Sequence, residues 1–313
     1  MIPASAGVGH AAPVGAVAFR ADGRRLASGS ADGSVFVWET TDPGHPMLLT
    51  AFNTGGAITG LAWNPGASDL LATGSTDGDA AIWRVVDDRP PTALATLAGH
   101  PAAIRSVEWM PDGQHVICLF GIDRAAVWNA MAETYLGELT DCIRLVVSPD
   151  GLVATIGPDG RVAVRDLWRG PGPTTRALGA PVLDCAWSPD GRGLALARAD
   201  GVLQLVTPYL DPALNIPIGD GPLRCVSWGS DGPVTGDDTG TYAVTADGRP
   251  RWRSPVVLPR AGALAVGGPI AAAATDGERP HVLALANGAT LVAPALAPSG
   301  SWALPSARPR ELP

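Results

Sequence analysis

Five histidines, His10, His45, His100, His115 and His281, are scattered along the chain, and no two stand at the spacing of a zinc site. The four cysteines, Cys118, Cys142, Cys185 and Cys225, lie in apolar runs without a Cys-x-x-Cys pair and read as buried thiols. No Gly-x-Ser-x-Gly elbow occurs. All 22 basic residues are arginine, which removes a phosphate-loop lysine, a Schiff-base lysine and a kinase-type lysine together. The acidic pairs Asp87-Asp88 and Asp237-Asp238 have the types for calcium or acid–base work, but both fall at turns, where aspartate is favoured for bonding to nearby backbone. The run Arg249-Pro250-Arg251-Trp252-Arg253, with Arg260 behind it, puts three cations on one face of a strand. It reads first as guarding a sheet edge against pairing, and second as a grip on an anionic partner. No catalytic residue, metal site or cofactor is expected.

The charge balance points the same way. Thirty acidic residues leave a net charge of -8, the opposite of a nucleic-acid footprint. Met1 to Phe19 carries no positive charge ahead of its apolar residues, unlike a secretory signal. Ala261 to Thr275 is broken by glycine and proline and falls short of the roughly 20 residues of a membrane helix. A cytoplasmic protein with neither nucleic-acid nor membrane partners is expected.

What must position these residues is a repeat. The segments ending at Phe19, Trp63, Trp109, Val147, Trp187, Trp228 and Val266 each close an alternating apolar run, and most are followed by a Pro-Asp-Gly or Asp-Gly turn. Their spacings, 44, 46, 38, 40, 41 and 38 residues, suit one propeller blade each. In the first copy, Leu26–Ser30, Val35–Trp38 and Met47–Phe52 supply further strands, and no segment shows a capped helical period. The expectation is an all-β, seven-bladed β-propeller of four-stranded antiparallel blades over residues 1–296, with a Pro/Ser-rich tail over 297–313. Ala289–Leu296 offers the last blade its own fourth strand, whereas Met1–Gly9 has few apolar residues to donate.

With Gly9-His10, Ser28, Asp32 and Trp38 in the first copy, and Gly99-His100 and Trp128 in the third, the chain resembles the WD40-repeat family. The resemblance implies a buried tetrad in which Asp32 accepts from His10, His10 from Ser28, and Ser28 meets the Trp38 indole. The second copy keeps Thr73, Asp77 and Trp83 but has Thr54 where the histidine belongs. The arginine-only basic set and abundant alanine suggest a GC-rich, bacterial genome. The resemblance also implies a non-catalytic platform for a protein or peptide, as scaffold or sensor module of a larger assembly. The alternative is a propeller enzyme or small-molecule binder with its site at the central channel mouth.

Family spacing directs certain side chains to the top face: Gly15, Thr59, Arg105, Ile143, Leu183, Arg224 and Gly262 at one position, and Ala31, Thr76, Ile122, Pro158, Ala199, Asp237 and Thr275 near another. Arg105 and Arg224 are then expected to face each other across the mouth and clamp an acidic peptide or carboxylate, with Ile143 and Leu183 as apolar contacts. The competing expectation is an Arg224–Asp237 salt bridge within one blade.

Overall fold

The computed structural model describes residues 2–3, 9–42, 46–67, 69–87, 89–169, 174–176, 178–254, 264–267, 270–273, 281–284 and 290–292. Among them are 29 strands, β1 to β29 in chain order. They form antiparallel sheets of neighbours in sequence: β1–β5 within residues 2–53, β6–β9 within 58–97, β10–β13 within 104–139, β14–β17 within 144–176, β18–β21 within 182–217, β22–β25 within 225–254 and β26–β29 within 264–292. Short loops and tight turns connect them, so nearly all pairing is local.

The expected fold class needs correcting. Four-stranded blades number six, not the expected seven, because the sheet that opens the chain has five strands in the order β1-β5-β4-β3-β2. The extra strand, β1 (Ile2–Pro3), pairs antiparallel with the outer edge of β5 (Met47–Asn53), matching Ile2 to Leu48 and Pro3 to Met47. An outer blade strand presents a row of unpaired N–H and C=O groups, and an extended segment satisfies part of it without needing apolar side chains. The sequence reading judged this segment by side chains and so undervalued it. In the last sheet, β29 (Thr290–Val292) is the fourth strand and comes from its own repeat.

The innermost strands are β2 (Val14–Phe19), β6 (Ile58–Trp63), β10 (Ile104–Trp109), β14 (Arg144–Val147), β18 (Val182–Trp187), β22 (Cys225–Gly229) and β26 (Leu264–Gly267). Each packs on the next, and β26 packs back on β2, so the sheets stand as a propeller around a channel. The core lies between blades. Ala62, Leu70, Ile82 and Leu97 of one sheet meet Ile104, Val107, Trp109 and Phe120 of the next in one buried cluster.

The repeated tryptophan at the end of the inner strand has a polar task as well. Trp63 Nε1 donates to the Ala18 carbonyl (3.2 Å), Trp109 Nε1 to Ala62 (3.1 Å) and Trp187 Nε1 to Val146 (3.3 Å). Each indole ties its strand to the inner strand of the preceding blade. It fills the interface and satisfies its one donor in the same step. Gly60 brings two blades closer still: a Cβ there would lie 2.8 Å from the Val107 nitrogen.

Candidate functional site

Blade one holds its loops with a directed chain of hydrogen bonds. Trp38 Nε1 donates to Ser28 Oγ (2.9 Å), Ser28 Oγ to His10 Nε2 (2.8 Å), His10 Nδ1 to Ser34 Oγ (2.5 Å), and Ser34 Oγ to Asp32 Oδ1 (2.5 Å). The implied direct bond from His10 to Asp32 is thus replaced by one through Ser34, a residue the sequence reading did not select. Asp32 also accepts the Ser34 and Ala11 amides (2.8 and 2.6 Å), and Gly33, at φ +80°, closes the turn. Burial holds His10 down to about 4 against the opposing pull of Asp32, so the ring is neutral and carries its proton on Nδ1.

Blade three solves the same problem with fewer groups. Trp128 Nε1 donates straight to His100 Nε2 (3.1 Å), and His100 Nδ1 donates to the Gly78 carbonyl (3.1 Å). In blade two, Trp83 Nε1 reaches Thr73 Oγ1 (3.1 Å) and Ser75 bonds Asp77, while Thr54 bonds the Gly33 and Gly56 carbonyls.

The channel encloses about 760 Å³. Gly15, Thr59, Arg105, Ile143, Leu183 and Arg224 are among the residues that line it; Gly262 and Thr275 lie outside the described residues. The two arginines are each bonded within their own blade. Arg105 is exposed and donates from Nη1 to the Ile122 carbonyl (2.8 Å), while Ile122 itself is 80% exposed. Arg224 makes a two-pronged pair with Asp238, Nε at 2.7 Å and Nη2 at 2.9 Å. The expected partner Asp237 is instead buried in its turn, accepting from the Thr239 amide and hydroxyl (both 2.7 Å) and the Gly240 amide (3.0 Å). Aspartate 237 shapes the turn that presents Asp238. Thr76 is exposed, whereas the Thr59 hydroxyl is occupied by the Ile104 and Gly74 carbonyls.

Below the mouth lie polar residues that sequence reasoning missed: Ser106 and the ionisable Glu108, Arg144 and Asp184. Arg144 Nε donates to Asp184 Oδ1 (2.6 Å), and Asp184 also accepts the Cys185 amide and, from the next blade, the Val226 amide (both 3.0 Å). Burial opposes the charge of Arg144, but Asp184 outweighs it, and the guanidinium is held charged. Burial pushes the Glu108 carboxyl up to about 7, with Arg144 drawing it down and Asp184 adding to the rise. A signal existed in the aligned repeats. Three residues before the first six anchors stand Ala16, Gly60, Ser106, Arg144, Asp184 and Cys225, so small residues give way to charges on two consecutive blades.

The arginine run is tied down locally. Arg249 pairs with Asp247 (3.1 Å), Arg251 with Asp231 (3.0 Å), and Arg253 lies 5.3 Å over the Tyr242 ring. Its strand, β25 (Pro250–Ser254), is the outer edge of its sheet, and Arg260 lies outside the described residues. Asp87 pairs with Arg25 of the preceding blade; Asp88 and the 297–313 tail also lie outside the description. Among the described residues no three metal-ligating side chains cluster, and no helix is long and apolar enough to cross a membrane.

The match to a known family falls on the opening blades. The family model described as WD domain, G-beta repeat matches residues 5–39, 44–84 and 91–125. The chain carries WD40 repeats. The first matched WD40 segment contains the whole His10 chain, and the third contains His100 and ends three residues short of its partner Trp128. A ribosome biogenesis protein BOP1 homolog of Oryza sativa subsp. japonica is 40% identical over 57 residues, covering 18% of this chain and 8% of that protein.

Proposed function

We propose that the propeller is a non-catalytic platform that binds a protein or peptide across its channel mouth, with Arg105 and Ile122 as the anchor pair. WD40 propellers serve generally as protein-interaction scaffolds, and the matched repeats support that role here. The rice relative aligns over 57 residues at 40% identity, so it supports a common repeat scaffold and no particular assembly. The observation that carries the reading is at the rim of blade three. There an exposed cation is fixed by its bond to the carbonyl of an isoleucine that is itself 80% exposed.

Arginine beside exposed apolar surface is the composition of an interface anchor, and a tethered guanidinium loses less freedom on docking. Its charge favours an acidic residue in the partner. Arg224 offers a weaker second contact, because a partner carboxylate must compete with Asp238. Arg105→Glu is expected to weaken binding strongly and Arg224→Glu modestly, both on folded protein, as read by calorimetry with the purified partner. Unchanged affinity in both variants removes the mouth and turns attention to the Arg249 edge strand.

A further inference from the structure

Beneath the mouth, Arg144 and Glu108 line the channel with hydrogen-bonding capacity unused among the described residues. Arg144 is held through Nε alone; its terminal nitrogens make no hydrogen bond among the described residues, and its side chain is 17% exposed. The Glu108 carboxyl likewise has no hydrogen bond or ion pair among the described residues, although Arg144 is near enough to affect its protonation. Both line the same 760 Å³ channel, and the two do not bond to each other. Ser106, on the same strand as Glu108, has a buried hydroxyl oxygen with no hydrogen-bond partner. The facing inner strands carry Ala16, Ala18, Gly60 and Ala62, whose small size leaves the space open. Native proteins rarely leave polar groups in this state without water or a ligand between them.

We infer that the channel waist is a binding site for a small carboxylate, which accepts two parallel hydrogen bonds from the terminal nitrogens of Arg144 and a third from Glu108. The Nε bond to Asp184 fixes the guanidinium plane before the ligand arrives, leaving the outer edge as a ready fork for a planar anion. Because Asp184 already balances one positive charge, the site suits a single negative charge better than a multiply charged phosphate ester.

Glu108 gives the site a pH dependence. Protonated, it donates to the anion; ionised, it repels it. The other charged or titratable groups lining its surroundings are Arg105 on its own strand, Arg144 on β14, Asp184 and Cys185 on β18, and Arg224 at the start of the next inner strand. Arg144 is held charged, and burial keeps the Cys185 thiol protonated. With Glu108 titrating at about 7, the competent fraction drops roughly tenfold between pH 6 and pH 8. The site is separate from the proposed partner surface, so either can fail alone.

The test is calorimetric titration of the full chain with sodium acetate at pH 6 and pH 8 and constant ionic strength, with chloride and inorganic phosphate as comparisons. Saturable acetate binding at pH 6, about tenfold weaker at pH 8, is expected. Glu108→Gln should bind at pH 8 as the unaltered protein does at pH 6, since an amide donates at either pH. Arg144→Lys, which keeps the charge for Asp184 but loses the fork, should weaken binding at both, with thermal unfolding confirming a folded protein. Absence of saturable binding at pH 6 overturns the inference. So does a pH dependence that survives in Glu108→Gln, or phosphate binding in preference to acetate. Loss of binding in Arg105→Gln with no change in Glu108→Gln would place any anion site at the mouth and overturn the waist.

Discussion

Arg144 and Asp184 meet at 2.6 Å across neighbouring blades, and the Asp184 side chain is wholly buried while its other oxygen accepts the Val226 amide of the blade beyond. One carboxylate therefore links three consecutive inner strands. Removing it leaves a charged guanidinium and two backbone amides without their acceptor, and breaking a buried pair in this way costs about 3–5 kcal/mol. Asp184→Ala should lower the urea midpoint accordingly, whereas Asp238→Ala, at an exposed pair, should leave it in place. Equal midpoints for the two variants would remove the three-blade link.

The His10 chain predicts a weakening toward acid. Burial lowers the ring from 6.5 to about 4, so between those values the unfolded chain takes a proton that the folded one refuses. Stability is full above pH 6.5 and falls by on the order of 3 kcal/mol as the pH drops to about 4. His10→Ala should cost roughly 1–3 kcal/mol at pH 7 and flatten this part of the profile. Denaturation curves from pH 7 to pH 4 on both proteins decide it; parallel losses would show that His10 does not titrate as described.

Glu108 predicts the opposite slope. Its carboxyl is raised from 4.5 to about 7, so the stabilising difference is complete below pH 4.5 and is lost as the pH rises through 7. The loss is on the order of 3 kcal/mol. Glu108→Gln removes the titration. The variant should therefore gain on the unaltered protein from pH 5 to pH 8 in urea denaturation, and a constant difference between them would contradict the shift.

The thiols give a simpler test. Cys118, Cys142, Cys185 and Cys225 are all free and buried, and burial pushes each one upward, Cys142 to about 12. At pH 8 a small disulfide reagent should titrate four thiols in denaturant and essentially none in the native state. Rapid native reaction of any of them would locate a blade that opens.

Much of the architecture was legible because a blade is a local meander: Trp63, Trp109 and Trp187 mark the inner strands, and the Asp-Gly turns mark the hairpins. The added strand at Ile2–Pro3 was not, since backbone pairing at an edge leaves no side-chain pattern. Arg224 bonding Asp238 rather than Asp237 was not legible, because the choice depends on which carboxylate the turn uses internally. Ser34 escaped notice for a related reason. Its hydroxyl matters only once the fold sets it between His10 and Asp32. Glu108, Arg144 and Asp184 were visible in sequence but have meaning only around a closed channel.

The central claim is that a protein or peptide docks on the mouth through Arg105 and Ile122. The most direct measurement is quantitative mass spectrometry of proteins retained from native host extract by four immobilised forms: the unaltered chain, Arg105→Glu, Ile122→Asp and, as an edge-strand control, Arg251→Glu. The account predicts at least one protein held by the unaltered chain and the control but lost from both mouth variants. Equal retention on all four, loss only from the Arg251→Glu form, or nothing held above bare resin would contradict it.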